Sequence, residues 1–108
     1  MDKPYVAVAR TDAVAPGQFL KVVVDDQTYI VANVAGRFYA CADQCSHEDY
    51  PLSYGCLDGD HLKCSLHGSR FSLLTGEPTE EPADTPIHVY RCEAADGWVW
   101  IDPSHTAN

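Results

Sequence analysis

The chain has 108 residues, room for one domain, because a second core needs roughly another 50 residues. Hydrophobic residues make up 45% of it and charged residues 21%, which excludes collagen-like and disordered chains. A net charge of −9 excludes a general binder of nucleic acid or of anionic membrane, whose surface carries the opposite sign.

Met1–Arg10 contains no long apolar run of the kind that forms a signal sequence or membrane span, so the expected compartment is the cytoplasm. Tyr5–Arg10 reads as a first strand, followed by the turn Ala15-Pro16-Gly17. Phe19–Val24 and Thr28–Val34 are strand-like, with Asp25-Asp26-Gln27 as a hairpin connection, and Ala35-Gly36 turns the chain into Arg37–Ala42. Asp58-Gly59-Asp60 is a strong turn between Gly55–Leu57 and His61–Lys63. Ser69–Leu73 leads to the Thr75-Gly76 turn. Beyond a proline-rich stretch, Ile87–Cys92 and Trp98–Ile101 read as a last hairpin bent at Asp96-Gly97. No window carries a sustained helical period with caps. The expected class is all-β, a sandwich or barrel.

The charge is uneven. Residues 1–42 are neutral overall, residues 43–84 carry −7 with only Lys63 and Arg70 as cations, and residues 85–108 add −2. The acidic middle segment also holds most of the cysteine and histidine. Five cysteines (Cys41, Cys45, Cys56, Cys64 and Cys92) suit a disulfide framework poorly, being odd in number and expected in a reducing compartment. Metal binding is the better default.

Two short loops pair a thiol with an imidazole: Cys45-Ser46-His47 and, after sixteen intervening residues, Cys64-Ser65-Leu66-His67. Spacing this tight lets both side chains of a loop grip only a compact centre. A structural zinc would use the same four atoms, although zinc fingers usually run a cysteine pair and then a histidine pair. Cys41, Cys56 and Cys92 read as buried small hydrophobes, and His61 and His105 as solvated. His88 alternates with Ile87 and Val89 along a strand, and Trp98 and Trp100 read as core or sheet-face residues.

The pattern C-x-H, then C-x-x-H, resembles that of Rieske [2Fe–2S] proteins, and the resemblance runs from the first strand to Ile101. It implies a single domain over 1–108, an antiparallel β-sandwich with a small cluster-binding lobe at about 43–70. It implies one [2Fe–2S] cluster, with Cys45 and Cys64 on the inner iron and His47 and His67 on the outer. Two ferric ions, two sulfides and two thiolates sum to zero charge, so an added electron is accepted more readily than with four thiolates.

Three departures narrow the class. Tyr50 and Leu66 stand where respiratory Rieske proteins carry a disulfide-forming cysteine in each loop. These residues hold no apolar run of membrane-spanning length, so no membrane anchor is expected, and no second His/Asp constellation offers the mononuclear iron site of oxygenase subunits. The remaining resemblance is to the free Rieske ferredoxins of bacterial multicomponent aromatic-ring-hydroxylating oxygenases. It implies a one-electron carrier rather than an enzyme, with a flavoprotein reductase and a terminal oxygenase as partners. The small Rieske-like subunit of assimilatory nitrite reductase and a non-redox zinc module are the alternatives.

The family also implies a third loop over the cluster, for which Pro78, Pro82 and Pro86 are the candidates, against a plain exposed acidic connection. Asp43, Glu48, Asp49, Glu80, Glu81 and Asp84 are candidate docking acids. High-potential members carry a serine two residues after the second histidine and a tyrosine four after it; here those positions are Ser69 and Phe71. One missing hydroxyl and no adjacent disulfide imply a potential near the low end of the Rieske range, about −150 mV.

Overall fold

The computed structural model describes residues 4–45, 51–65, 68–79 and 85–107. Its first strand, β1 (Val6–Arg10), leads through a single 3-10 turn at Thr11–Ala13 into β2 (Gln18–Val24). β2 turns into β3 (Gln27–Val34) through Asp25-Asp26, and β3 into β4 (Arg37–Ala42) through Ala35-Gly36. All four loop residues have positive φ, between 49° and 92°. That is the I′ conformation, whose twist matches the strands it joins. The register of β2 on β3 and of β3 on β4 then runs without interruption, for example Leu20 opposite Val31 and Val31 opposite Ala40.

A second 3-10 turn, Leu52–Tyr54, precedes β5 (Cys56–Asp58). β5, β6 (His61–Lys63) and β7 (Arg70–Ser72) form a three-stranded antiparallel meander. β8 (Val89–Tyr90) pairs with β4, completing a sheet in the order β2-β3-β4-β8. β9 (Cys92–Ala95) and β10 (Trp98–Ile101), joined by Asp96-Gly97 at positive φ, make the third sheet with β1, in the order β1-β10-β9. β1 carries a bulge at Val8, where its pairing with β10 slips by one residue.

The segment 87–92 departs from expectation. It is not one arm of a hairpin: Val89–Tyr90 belongs to the β4 sheet, and Cys92–Ala95 changes sheet to pair with β10. Arg91, exposed, stands between them.

The middle sheet is shared by two cores. β3 is buried from Tyr29 to Asn33, and its residues alternate faces as a strand must. Tyr29 and Val31 pack with Val22, Ala40, Val99 and Ile101 toward the β1-β10-β9 sheet. Ile30 and Ala32 pack on the opposite side with Leu52, Leu62, Phe71, Leu73, Ile87 and Val89, toward the meander. Cys45, just beyond β4, and Cys64, just beyond β6, both belong to this second core.

Candidate metal centre

The first motif loop leaves the end of β4. The Ala42 N–H donates to the His88 carbonyl at 2.9 Å and the Asp43 N–H to the Thr28 carbonyl at 3.1 Å, so the backbone is fixed just before Cys45. Cys45 is 3% exposed, buried in the lobe-side core. The chain returns at Pro51 and enters the turn Leu52–Tyr54, whose Leu52 side chain is fully buried. Gly55 closes that turn, its N–H donating to the Leu52 carbonyl at 2.9 Å.

The second loop is the tip of the β6–β7 hairpin. Cys64 follows β6 directly, is 1% exposed and lies in the same core as Cys45. Gly68 takes a φ of 78°, open to glycine without strain, and its N–H donates to the Cys64 carbonyl at 3.0 Å. Ser69 is buried. The structure therefore brings Cys45 and Cys64, from separate loops, into one cluster; His47 and His67 lie outside the described residues.

Each thiol also lines a cleft. Cys45 borders one of about 300 Å³ with Gln44, Thr85, Pro86 and His88. Cys64 borders another with Tyr54, Lys63, Ser65 and Gly68. Two buried soft donors, at the roots of two loops and in one core, fit an iron–sulfur centre. No disulfide forms among the described residues.

The remaining cysteines and histidines are not gathered at this point. Cys41 is buried on the lobe side of β4, and burial, reinforced by the Asp43 charge, pushes its thiol far above the ordinary range. Burial likewise pushes the Cys92 thiol up to about 12, with Glu93 adding to it. Both stay protonated and act as small apolar groups. Cys56 differs from expectation: it is exposed, on the edge of the meander. His88 is exposed between buried Ile87 and Val89, as the alternation requires. His61 sets Nδ1 2.7 Å from the Asp60 carboxylate, and His105 is exposed beside Ser104. Trp98 lies under the Arg10 guanidinium at 5.2 Å, and Trp100 donates to the Ala95 carbonyl, so both are sheet-face residues.

Of the candidate docking acids, Asp43 turns inward, with a side chain only 2% exposed. Glu48, Asp49, Glu80, Glu81 and Asp84 lie outside the described residues, as does Pro82. Pro78 is half-buried and forms an antiparallel bridge with Phe71, while Pro86 lines the cleft at Cys45.

A Rieske [2Fe–2S] domain model matches residues 4–91. The chain belongs to the Rieske [2Fe–2S] family. Its cofactor is accordingly one [2Fe–2S] cluster, which sets aside the structural zinc. This Rieske chain is 40% identical over 106 residues to the biphenyl dioxygenase ferredoxin subunit of Pseudomonas sp. (strain KKS102), covering 95% of both chains. It is 38% identical over 88 residues to the ferredoxin component of biphenyl 2,3-dioxygenase from Rhodococcus jostii (strain RHA1), covering 82% of each. Among solved structures, it superimposes with a TM-score of 0.90 and 30% identity on a chain from the complex of reduced oxygenase and oxidised ferredoxin in carbazole 1,9a-dioxygenase. That match covers 99% of this chain and 100% of the other.

Proposed function

We propose that the chain is the ferredoxin of an aromatic-ring-hydroxylating dioxygenase system: a one-electron carrier, not itself an enzyme. It takes electrons from an NAD(P)H-dependent flavoprotein reductase and passes them to a terminal oxygenase. Cys45 and Cys64 hold the inner iron of the cluster, and His47 and His67 the outer. When bound, the cluster supplies one reversible electron at a potential raised by its two neutral ligands.

The observation that carries this reading is the convergence of Cys45 and Cys64 in one buried core. The protein's own part is to hold and to shield. Leu52, Leu62 and Phe71, all fully buried in the core shared with Cys45 and Cys64, keep water out of it. Pro86, at the mouth of the cleft beside Cys45, supports a covering role for the third loop, with Pro78 and Pro82 along the same stretch. The chain works as one domain over 1–108, with its cluster-binding lobe at about 43–70, in the cytoplasm. Among the described residues no helix is long and apolar enough to cross a membrane.

Purified protein is expected to be red-brown, with about two irons and two acid-labile sulfides per chain and a Rieske-type EPR signal on reduction. Cys45→Ser and Cys64→Ser should each abolish all three. A full cluster retained in either variant overturns the ligand assignment. For the carrier role, the reduced protein is mixed with an aromatic-ring dioxygenase in a single turnover. Oxidation of the protein coupled to product formation supports the role, and a stable reduced spectrum opposes it.

A further inference from the structure

We infer that Asp43 is a positioning residue for the first ligand loop: its carboxylate ties the two ends of that loop together and so fixes where Cys45 stands. The inference rests on the assignment of Cys45 as a ligand. Asp43 precedes Cys45 by two residues, and its own N–H is held by the Thr28 carbonyl of β3. Its side chain reaches across to the far end of the loop. There Oδ1 accepts the Ser53 N–H at 2.7 Å and Oδ2 accepts the Ser53 hydroxyl at 2.8 Å. A carboxylate so nearly buried is retained where it is fully hydrogen-bonded, and bonds to an ionised acceptor are the stronger kind. Lys21 Nζ lies 3.9 Å from Oδ2 and is half-exposed, a weak supplement.

The pinned turn reaches the second loop as well. A Cβ added at Gly55 would stand 1.8 Å from the Lys63 carbonyl oxygen, so the backbone at Gly55 is pressed against β6 immediately before Cys64. Ser53 and Gly55 therefore connect the strand that feeds one cysteine to the strand that feeds the other. Hydrogen bonds join Thr28, Asp43 and Ser53, and Gly55, two residues farther on, meets the Lys63 backbone. An acid that its charge alone marks as a docking group serves instead as an internal tie.

The test uses the cluster-loaded protein and two readouts: the rate of iron release to excess bathophenanthroline, and the visible circular dichroism of the cluster. Asp43→Ala and Ser53→Ala should each speed release, Asp43→Ala by roughly tenfold or more, and both should alter the visible dichroism. The double variant should release no faster than Asp43→Ala alone, because the two side chains act as one unit. Ser53→Thr, which keeps both donors, should restore the wild-type rate and spectrum. Wild-type rates and spectra in both alanine variants, or fully additive effects in the double variant, overturn the inference while leaving Cys45 a ligand. If Asp43→Ala does not accumulate as folded protein, Ser53→Ala decides by the same two readouts. A cluster that survives in Cys45→Ser removes the ligand assignment, and this inference with it.

Discussion

Cys64 donates its backbone N–H to the Ser69 carbonyl at 2.7 Å, so the second motif loop is closed at its base by the residues that flank it. Ser69 is thereby held in the buried core at a fixed distance along the chain from the second histidine. Two positions farther on, Phe71 has no exposed surface and bridges to Pro78.

These two positions are where the potential should respond. A hydroxyl that donates toward cluster or cysteine sulfur favours the more negative, reduced state. For a one-electron couple about 59 mV is a tenfold change in equilibrium constant, so a hydrogen bond worth roughly 1 kcal/mol shifts the potential by tens of millivolts. Ser69→Ala should lower the potential and Phe71→Tyr should raise it, each by that order. Voltammetry checks both. Unchanged values with full cluster content would assign the potential to backbone donors and burial.

Gly55 and Gly59 should respond very differently to alanine. At Gly59 nothing lies within 4 Å of an added Cβ, and the only cost is a φ of 60°, about 1–2 kcal/mol. At Gly55 the collision is with backbone, which has no rotamer to yield. Gly59→Ala should keep its cluster and lose a few degrees in melting temperature, whereas Gly55→Ala should load iron poorly and melt far lower. Iron content and thermal melts of the two variants compare them directly.

The thiols outside the motif sort by environment. Thiolate is the reactive form. At pH 8 a thiol with a pKa of about 12 is ionised in about one molecule in ten thousand, and the fraction rises tenfold per pH unit until that value is reached. Cys92 should therefore resist iodoacetamide at pH 8, and Cys41, pushed up further still by burial, should resist it as well. Exposed Cys56 should be labelled first. Peptide mapping of the native, cluster-loaded protein reads the order, and Cys56→Ser should keep its full iron.

Docking should depend on salt. Residues 43–84 carry −7 even though Asp43 is turned inward. Steering by exposed charge acts on the association rate and is screened within about 8 Å at physiological ionic strength. Stopped-flow reduction by the cognate reductase should slow several-fold between low and moderate salt. A rate indifferent to salt would leave the acids a role in solubility alone.

What the sequence made legible was mostly local. Asp25-Asp26, Gly36 and Asp96-Gly97 announce their turns because Asp and Gly accept positive φ more readily than most residues, and each turn fixes a strand pair. The spacing of Cys45 and Cys64 is plain in the sequence, whereas their burial in one core comes from the fold. Less legible was anything decided by distant partners. Ile87–Cys92 alternates like a single strand, yet the choice between two sheets at Arg91 depends on β4 and β10. Cys56 resembles the other cysteines in composition but falls on the open edge of a short meander. Asp43 reads as one more acid in an acidic stretch, and only the fold places Ser53 within its reach.

The double burial of β3 has a consequence for motion. Ile30 and Ala32 belong to the core that holds Cys45 and Cys64, while Tyr29 and Val31 belong to the core on the other face. Opening the lobe enough to strip β3 would uncover a strand on which the opposite sheet also rests. Such an opening approaches the cost of unfolding the whole chain. In hydrogen–deuterium exchange, the amides of Ile30, Val31 and Ala32 should thus be among the last to exchange, at rates that follow global stability. A strand held from both faces should shift little when the charge beside it changes, which would keep the rearrangement that accompanies electron transfer small.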